Sequence, residues 1–396
     1  MMTKYLLIVV GAMMLSGCTI KLPTVGSGSD APAPATSTRG SLWKTSDGGQ
    51  SFEPKSTIDE KTRITKADIL SIAYHPKVPG TIYVGSVENG IFKTEDAGNH
   101  WVPIAFPPKK IYSFILDKNN PDTRMFASGV VGTWGKIFRT DNGGEKWDPV
   151  YTEPGEQIPV TALSQHPVDM NVIFAGTSTG TVVKSVDSGD TWKDVGGKID
   201  GIVADIVFDA AKPLITYLLT FNKKVFYSSD GGVVWRDWEE EKTKEVEAIQ
   251  KRASDAAARD DSKGATSLRK QAQQLGERNQ KNKMPSNIVS VTADPVEMGV
   301  LYAGTNAGFF RSPDYGKYWY ELNIIESAKK FPIRSIAVNP QNSGELVFVA
   351  GRAFYKSVDR GVTWSVTGLD VDRNASFVSY DPFDPKYLFL GLRNFK

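Results

Sequence analysis

The stretch VVKSVDSGDTW, residues 182–192, is one of seven versions of a phrase that recurs along the chain. The phrase consists of two or three apolar residues, Ser or Thr, any residue, Asp, any residue, Gly, two further residues and an aromatic residue. The other six versions are LWKTSDGGQSF (42–52), IFKTEDAGNHW (91–101), IFRTDNGGEKW (137–147), VFYSSDGGVVW (225–235), FFRSPDYGKYW (309–319) and FYKSVDRGVTW (354–364). Self-similarity at a fixed period indicates a fold built from repeated structural units.

The spacing of the phrase predicts a β-propeller. Its central positions are Asp47, Asp96, Asn142, Asp187, Asp230, Asp314 and Asp359. They are 49, 46, 45, 43, 84 and 45 residues apart, and a period in the forties is the length of one four-stranded blade. The separation of 84 residues indicates one blade with a long insertion.

A second, weaker repeat supplies the other half of each blade. The segment DILSIAYHPKVPGTIYVGS (68–86) has two apolar runs around a proline-marked turn, which is typical of two adjacent strands. Seven such segments alternate with the seven phrases, and the chain begins with a phrase and ends with a strand pair. Pairing of the two ends would complete one blade and leave no open sheet edge. We therefore expect an all-β, seven-bladed propeller over residues 41–396, closed by N- and C-terminal strands in one blade.

The residue types of the phrase suit a tight turn between the third and fourth strands. An Asp carboxylate, or the Asn142 amide oxygen, can accept backbone N–H bonds across the turn. Glycine allows positive φ, and the aromatic ring can pack between adjacent sheets. The tryptophans at this position are Trp101, Trp147, Trp192, Trp235, Trp319 and Trp364. A ring of turns holds these aspartates far apart, so we interpret them as structural residues and expect no catalytic or metal array.

The first eighteen residues form a separate export signal by composition. Lys4 precedes the apolar run YLLIVVGAMML, which is too short for a comfortable membrane span and is followed by SGC. LSGC, ending at Cys18, resembles the bacterial lipobox, and this resemblance implies cleavage before Cys18 and lipid attachment to its sulfur. Residues 19–40 are rich in Pro, Ser, Thr, Gly and Ala, as in a flexible tether. We expect an extracytoplasmic, lipid-anchored protein, on the outer membrane where two membranes are present.

Composition excludes several functions. The formal net charge of +2 over 396 residues gives no signal for nucleic-acid binding. The chain has 3 histidines and 1 cysteine, so it offers neither a His-based triad nor a His-rich zinc site, and no disulfide can form within it. We predict no metal and no cofactor.

Residues 239–283, after the fifth phrase, predict a helical insertion. They contain no Trp, Phe or Tyr and are rich in the helix formers Ala, Glu, Lys, Gln and Arg. The segment DDSKGAT (260–266) indicates a break between two helices. Because the insertion lies between two complete blades, we expect the propeller to fold without it.

Binding residues are expected on the second face of the propeller, which carries the loops between strands two and three and the links between blades. Loops that vary on a rigid scaffold are the usual binding sites, and we assign the insertion to this face as well. The candidate binding residues are Trp134, Lys109, Lys110, Lys223, Lys224, Arg334, Arg352 and Arg393. The alternatives for these groups are scattered solubilising charge and, for the insertion, a solvated segment without a specific role.

The phrase resembles the Asp-box, or BNR, repeat of the sialidase, xyloglucanase and sortilin propellers, over nearly all of residues 41–396. Sialidases have six blades and clamp a carboxylate with three arginines on inner strands. The matching positions here are Leu70, Tyr112, Thr161, Ala204, Val289, Arg334 and Ser376, with a single arginine. A glycosidase needs two facing carboxylates, and Asp205 is the one acid that we can place on an inner strand. The sequence favours a non-enzymatic protein over an enzyme.

The whole-chain pattern is most similar to the photosystem II stability and assembly-factor-like propellers, whose bacterial members are often lipoproteins. This resemblance implies a scaffold that holds a membrane-protein partner during assembly. We therefore expect binding of a protein partner through the second face and the helical insertion. The alternative is a cell-envelope module that binds or cleaves glycans, with Trp134 as a sugar platform.

Overall fold

Seven antiparallel four-stranded sheets make up the computed structural model of this chain. The structure describes residues 40–59, 64, 67–108, 110–209, 211–221, 224–325 and 328–394. The predicted signal, Cys18, Lys109, Lys223 and nearly all of the predicted tether lie outside these residues.

The chain forms its strands in blade order. It begins with β1 (Leu42–Thr45) and β2 (Glu53–Pro54). Blade one contains β3 (Ile69–Tyr74), β4 (Ile82–Ser86), β5 (Ile91–Thr94) and β6 (Val102–Ile104). Blade two contains β7 (Ser113–Leu116), β8 (Met125–Val131), β9 (Trp134–Thr140) and β10 (Asp148–Glu156). Blade three contains β11 (Val160–Gln165), β12 (Ile173–Thr177), β13 (Val182–Ser185) and β14 (Lys193–Asp194).

The second half of the chain continues this order around an insertion. Blade four contains β15 (Val203–Phe208), β16 (Thr216–Thr220), β17 (Val225–Ser228) and β18 (Arg236–Asp237), followed by helices α1 (Trp238–Ala258) and α2 (Ser262–Lys281). Blade five contains β19 (Ile288–Ala293), β20 (Leu301–Thr305), β21 (Phe309–Ser312) and β22 (Tyr320–Leu322). Blade six contains β23 (Ile333–Asn339), β24 (Asn342–Ala350), β25 (Ala353–Ser357) and β26 (Ser365–Gly368). The last two strands are β27 (Asn374–Tyr380) and β28 (Leu388–Arg393).

The two chain ends share one sheet, as predicted. Its strand order is β2-β1-β28-β27, with Leu42 opposite Gly391 and Thr45 opposite Leu388. We call this sheet the closing blade. The first strands of successive blades contact one another in a complete ring, with β27 next to β3. The seven-bladed propeller with an N- and C-terminal closing blade is therefore confirmed.

Each repeated phrase folds into the same hydrogen-bonded turn, which we call the repeat turn. In the first copy the Thr45 hydroxyl donates to Asp47 Oδ1 at 2.6 Å, and that oxygen accepts the Ser51 N–H at 3.0 Å. The Gly49 N–H donates to the Thr45 hydroxyl oxygen at 2.9 Å. All three bonds recur in the other six copies, with Asn142 in place of Asp in one of them. The hydroxyl and N–H donors of Thr191 lower the pKa of Asp187 to about 2, because they favour its ionised form.

The turns between first and second strands lie on the same face as the repeat turns. Within each blade the residue after the central Asp or Asn donates its N–H to a carbonyl of that blade's first turn, for example Gly48 to Lys386 at 3.1 Å. The same bond forms in all seven blades. The residue at the end of each first strand, or directly after it, caps this turn with a side-chain acceptor, as His75 Nδ1 does for the Val78 N–H at 2.9 Å. The seven capping residues are His75, Asp117, His166, Asp209, Asp294, Asn339 and Asp381.

Apolar side chains from facing sheets build one core cluster after another around the ring. One such cluster combines Leu42 and Phe389 of the closing blade with Ile69, Ile82 and Trp101 of blade one, all fully buried. Burial of this kind is the main favourable term in folding. It also explains why each phrase ends in a bulky aromatic residue.

Candidate functional site

The helical insertion stands on the outer rim between blades four and five. Trp238 Nε1 donates to the Tyr315 carbonyl at 2.8 Å, and Lys242 Nζ donates to the Lys317 carbonyl at 3.2 Å. Both acceptors belong to the repeat turn of blade five. The Tyr318 hydroxyl donates to Asn279 Oδ1 at 3.0 Å. The start of α1 therefore lies against a repeat turn at the rim, because a fourth strand of only two residues releases the chain there. The link that follows α2 runs beside the loop between β20 and β21, so the assignment of the insertion to the second face holds for its exit and not for its start.

The base of the insertion is unusually well fixed for a charged segment. Lys242 is 1% exposed and its ammonium lies 2.6 Å from Glu239 Oε1, which also accepts the Met284 N–H at 2.9 Å. Lys242 and Arg278 both lie over the Tyr318 ring, at 5.3 and 4.3 Å from its centroid. Buried charges are tolerated when they are paired and hydrogen-bonded. The exit of α2 is thereby held rigidly against blade five.

Beyond this base the two helices bury little except each other. Ile249 and Ala253 of α1 and Ala265 and Ala272 of α2 are buried, while most other side chains are exposed. Small residues let the helices approach closely, and the caps Asp237 and Asp261 fix where each helix begins. Neither helix is long and apolar enough to span a membrane, and the same holds for the rest of the described chain.

A shortened insertion separates the base from the projecting part. Replacement of residues 247–275 by a short Gly-Ser linker keeps Lys242, Asn279 and Met284 in place. We expect this variant to melt within about 2 °C of wild type, because helix pairs that touch only each other contribute little to the propeller. Deletion of all of 239–283 removes the base as well and should melt lower. Equal melting temperatures for the two deletions, measured by circular dichroism, would contradict a stabilising role for the base.

A groove of about 630 Å³ lies between the exit of α2 and blade five. Its lining combines neutral polar side chains, among them Asn282 and Asn306, with the apolar or aromatic groups Met284, Phe310 and Tyr320. Three charged residues, Lys281, Lys283 and Glu321, also line it. Tyr320 is 42% exposed. Ligand sites commonly have volumes of about 300–1,000 Å³ and mix apolar walls with a few polar groups. This groove is the candidate binding site. It lies between the insertion and a second-face loop, where binding was expected, but none of its residues was among the predicted binding residues.

The binding residues predicted on the second face do not form one cluster. Trp134 begins β9 after a two-residue turn and is 36% exposed beside Val131, its pairing partner. Lys110 Nζ lies 5.0 Å from the centroid of the Tyr112 ring. Lys224 pairs with Asp200 at 3.4 Å, so its charge is partly compensated.

The three candidate arginines of the second face lie in different elements, and only Arg334 belongs to a first strand. Arg334 is the bulged residue of β23. Burial lowers the pKa of its guanidinium, and the positive charge of nearby Arg393 lowers it further. Arg352 is exposed in the turn between β24 and β25. The positions compared with the sialidase arginines coincide with a β-bulge in six of the seven first strands. Bulges re-aim side chains, yet only one of these positions carries an arginine.

The channel contains one acidic residue on the first strands, all of which the structure describes. The side chain of Asp205 in β15 is in contact with solvent in the channel. The surrounding protein still removes much of the water around its carboxylate, and this desolvation raises its pKa to about 6. Among the described residues its carboxylate accepts one hydrogen bond, from the Ile206 N–H at 2.8 Å. In blades two and six the equivalent residues are Ser113 and Ser335, whose hydroxyls accept an N–H from the next blade. Asp205 thus replaces a group that links blades, and none of the described first strands supplies a second carboxylate to face it.

The raised pKa of Asp205 predicts a pH-dependent stability. Its folded pKa lies above the ordinary value of 3.8, so the destabilisation is fully present above pH 6 and disappears as the pH falls through 6 toward 4. Asp205→Asn should therefore stabilise the protein at pH 7.5 by about 1 kcal/mol, a value reduced because solvent reaches the side chain. The gain should shrink at pH 4.5. Chemical denaturation at both pH values, with Asp370→Asn at an exposed position as control, measures the difference, and an equal gain at both would contradict the assignment.

Within the described part of the chain no group of three or more His, Cys, Asp or Glu side chains is placed to hold a metal ion. The central aspartates of the repeat turns are each occupied by donors of their own turn.

Comparison with known proteins identifies the fold but not a family. No family model and no curated protein sequence matches the chain. Its structure is similar to the GH74 xyloglucanase from Xanthomonas campestris, with a TM-score of 0.62 and 16% identity over 83% of this chain and 51% of the enzyme. The chain thus spans about half the length of that enzyme.

Two structures of YCF48 match over almost their full length. YCF48 bound to D1 peptide has a TM-score of 0.57 and 14% identity, covering 83% of this chain and 94% of that one. YCF48 from Cyanidioschyzon merolae has a TM-score of 0.57 and 13% identity, covering 83% and 96%. Identities this low show a shared seven-bladed propeller and nothing finer. The predicted resemblance to assembly-factor and xyloglucanase propellers is confirmed at the level of fold.

Proposed function

We propose that this protein is a lipid-anchored, extracytoplasmic propeller that binds a segment of a membrane-protein partner and acts as a non-enzymatic scaffold. The groove between the exit of α2 and blade five carries the proposal, because polar and apolar groups of the insertion and of blade five converge there on a base that is held by hydrogen bonds. The full-length similarity to YCF48, one structure of which is bound to D1 peptide, supports a protein ligand over a glycan.

The groove chemistry suits an extended peptide. Asn282 and Asn306 amides can both donate to and accept from a peptide backbone, whereas Met284, Phe310 and Tyr320 offer apolar contacts for its side chains. The Trp319 N–H donates to the Asn282 carbonyl at 3.1 Å, and Met284 Sδ accepts the Val225 N–H at 3.4 Å. A wall that is already fixed lowers the entropy cost of binding.

Site-specific photocrosslinking tests the groove directly. A photoreactive phenylalanine replaces Tyr320, and a matched control replaces Val102, which also begins a fourth strand directly after a repeat tryptophan and is 65% exposed. We expect one membrane protein to be crosslinked in cells from position 320 and not from position 102. Identical products from both positions, or none from either, would overturn the proposal. Loss of glycan-array binding in Trp134→Ala, without any protein product, would instead support the glycan-binding alternative.

The anchor makes a separate prediction. Cys18→Ser removes the sulfur to which the lipid would be attached, and cleavage at the lipobox should fail with it. A single apolar stretch of about 11 residues holds a membrane weakly compared with several acyl chains. We expect the mature, acylated form to disappear in mass spectrometry and the protein to become extractable from membranes by high salt. Unchanged mass and membrane retention would contradict lipidation.

A further inference from the structure

The face that carries the repeat turns is strongly acidic. We call it the repeat face and define it by fourteen turns, namely residues 75–81, 117–124, 166–172, 209–215, 294–300, 339–345 and 381–387, and the repeat turns 45–51, 94–100, 140–146, 185–191, 228–234, 312–318 and 357–363. These turns contain 19 acidic and 8 basic residues, a formal charge of −11 in a chain whose net charge is +2. Six cations at the ends of the third strands lie beside these turns, and four of them donate to carbonyls of the repeat turns. With all six included, the formal charge of the repeat face is −5.

The same face also carries most of the exposed apolar side chains. Of the 19 large hydrophobic side chains exposed among the described residues, 11 belong to these fourteen turns. One group lies on blades five and six and the closing blade: Val296 at 50%, Met298 at 50%, Val358 at 66%, Val362 at 73% and Phe383 at 40%. Single exposed hydrophobic residues are ordinary, whereas several on the turns of three successive blades indicate an interaction surface.

An apolar funnel opens beside this group. It has a volume of about 310 Å³ and is lined without any charged side chain by the inner strands and first turns of blades five and six and the closing blade, together with Tyr74 of blade one. Pro295, Pro340 and Pro382 stand at equivalent positions around it. Proline has no backbone N–H, so at these three positions the wall of the funnel is formed by the apolar proline rings and offers no backbone donor. The funnel is large enough to receive one or two apolar side chains.

We propose that the repeat face binds a basic amphipathic protein segment, with its apolar residues in the funnel and on the exposed group and its Lys or Arg side chains toward the acidic turns. Charge complementarity selects this partner, since an acidic segment of equal hydrophobicity would be repelled. Hydrogen bonds from Thr363 and Ser357 lower the pKa of Asp359 to about 2. This edge of the surface therefore stays negative throughout the physiological pH range. The surface lies across the propeller from the second-face loops and away from the groove at Tyr320, so it goes beyond the proposed function.

Two model peptides of equal length test the partner chemistry against the full-length protein in detergent. One is a 14-residue amphipathic Leu/Lys peptide, and the other has Glu in place of every Lys. Fluorescence anisotropy should show binding of the Leu/Lys peptide at least about 10-fold tighter than of the Leu/Glu peptide. Binding should also weaken as salt is raised, because the attraction is between exposed charges. Equal affinities for the two peptides would overturn the proposal.

A charge-neutral variant separates specific docking from non-specific attraction. The double variant Val362→Ser, Phe383→Ser removes apolar contact without changing charge and should weaken Leu/Lys binding about 5-fold or more. Phe221→Ser on the second face, where Phe221 is 62% exposed, is the matched control and should not change it. Equal effects of both changes, or none from either, would overturn the proposal. Tyr320→Ala should leave peptide binding unchanged, so failure here and failure of the groove proposal are distinguishable.

Discussion

Arg373→Ala should lower the free energy of unfolding by about 3 kcal/mol, because it removes the clasp that holds the closing blade. The Arg373 guanidinium donates to the Ala67 and Gly40 carbonyls and to the Ser41 hydroxyl, each at 3.1 Å. Its side chain is 6% exposed, and Asp68 lies 3.6 Å away. The three acceptors belong to the chain just before β1 and to the link that leads into β3. Loss of the guanidinium removes the donor to the Ala67 carbonyl and the Ser41 hydroxyl at the place where the ring closes, while the Gly40 carbonyl keeps Trp43 Nε1 as a donor at 3.3 Å.

The measurement is thermal unfolding together with limited proteolysis of the N-terminal strands. We expect an apparent melting temperature about 5 °C or more below wild type and faster cleavage before β3. Arg360→Ala is the control, since Arg360 is 56% exposed and paired with Glu297 at the surface, where an ion pair contributes about 0–1 kcal/mol. If both variants melted together, ring closure would rest on β1–β28 pairing alone.

The architecture could be predicted because each of the seven blades contains the residues that form its repeat turn within one short segment of sequence. The Ser/Thr, Asp and Gly of each phrase are a local network spanning five residues, so one copy suffices to recognise it. The order of the half-blades predicted the shared closing sheet in the same way. Arg373 could not be identified, because its acceptors are backbone carbonyls more than 300 residues away and leave no mark on the sequence.

The candidate site was less predictable for a related reason. Asn282, Asn306 and Tyr320 come from the insertion exit, a loop and a strand, and only the folded base of the insertion brings them together. Trp134 lies beside a second-face turn, as expected. The start of the insertion lies against a repeat turn instead, and only its exit reaches a second-face loop. One feature of the sequence does point to the attachment of the insertion. Tyr227 stands at the position where the other six phrases carry Lys or Arg. That position explains how the insertion is attached.

In most blades a cation near the end of the third strand ties one repeat turn to the next. Lys44 donates to the Ala97 carbonyl, Lys184 to the Gly231 carbonyl and Lys356 to the Gly48 carbonyl, at 3.0–3.2 Å. Arg139 makes the same bond to the Ser188 carbonyl. In each case the acceptor is the residue after the central Asp of the following blade. These bonds are a side-chain belt that links neighbouring blades on the repeat face.

Blade four has Tyr227 at this position, and Trp238, the first residue of α1, makes the corresponding bond instead. The Trp238 ring stacks on Tyr227 with centroids 4.9 Å apart, and its Nε1 donates to the Tyr315 carbonyl. Trp238→Ala should therefore cost about 2 kcal/mol, from the lost stacking, the lost burial and an unpaired carbonyl. Trp238→Phe keeps the aromatic contact and should cost about 1 kcal/mol. Chemical denaturation of each variant gives the values.

A second substitution decides whether the insertion really substitutes for a lysine. Tyr227→Lys introduces the lysine that stands at this position in four other blades and makes this bond in three of them. It can reach the Tyr315 carbonyl as Lys184 reaches that of Gly231. In the Trp238→Ala background it should recover about 1 kcal/mol, whereas in wild type it should be neutral or destabilising, because it breaks the stack on Trp238. The double-mutant cycle would then show a coupling energy of about 1 kcal/mol or more. Additive effects would mean that Trp238 acts by packing alone, and the insertion would be an appendage of the rim instead of a link in the belt between blades.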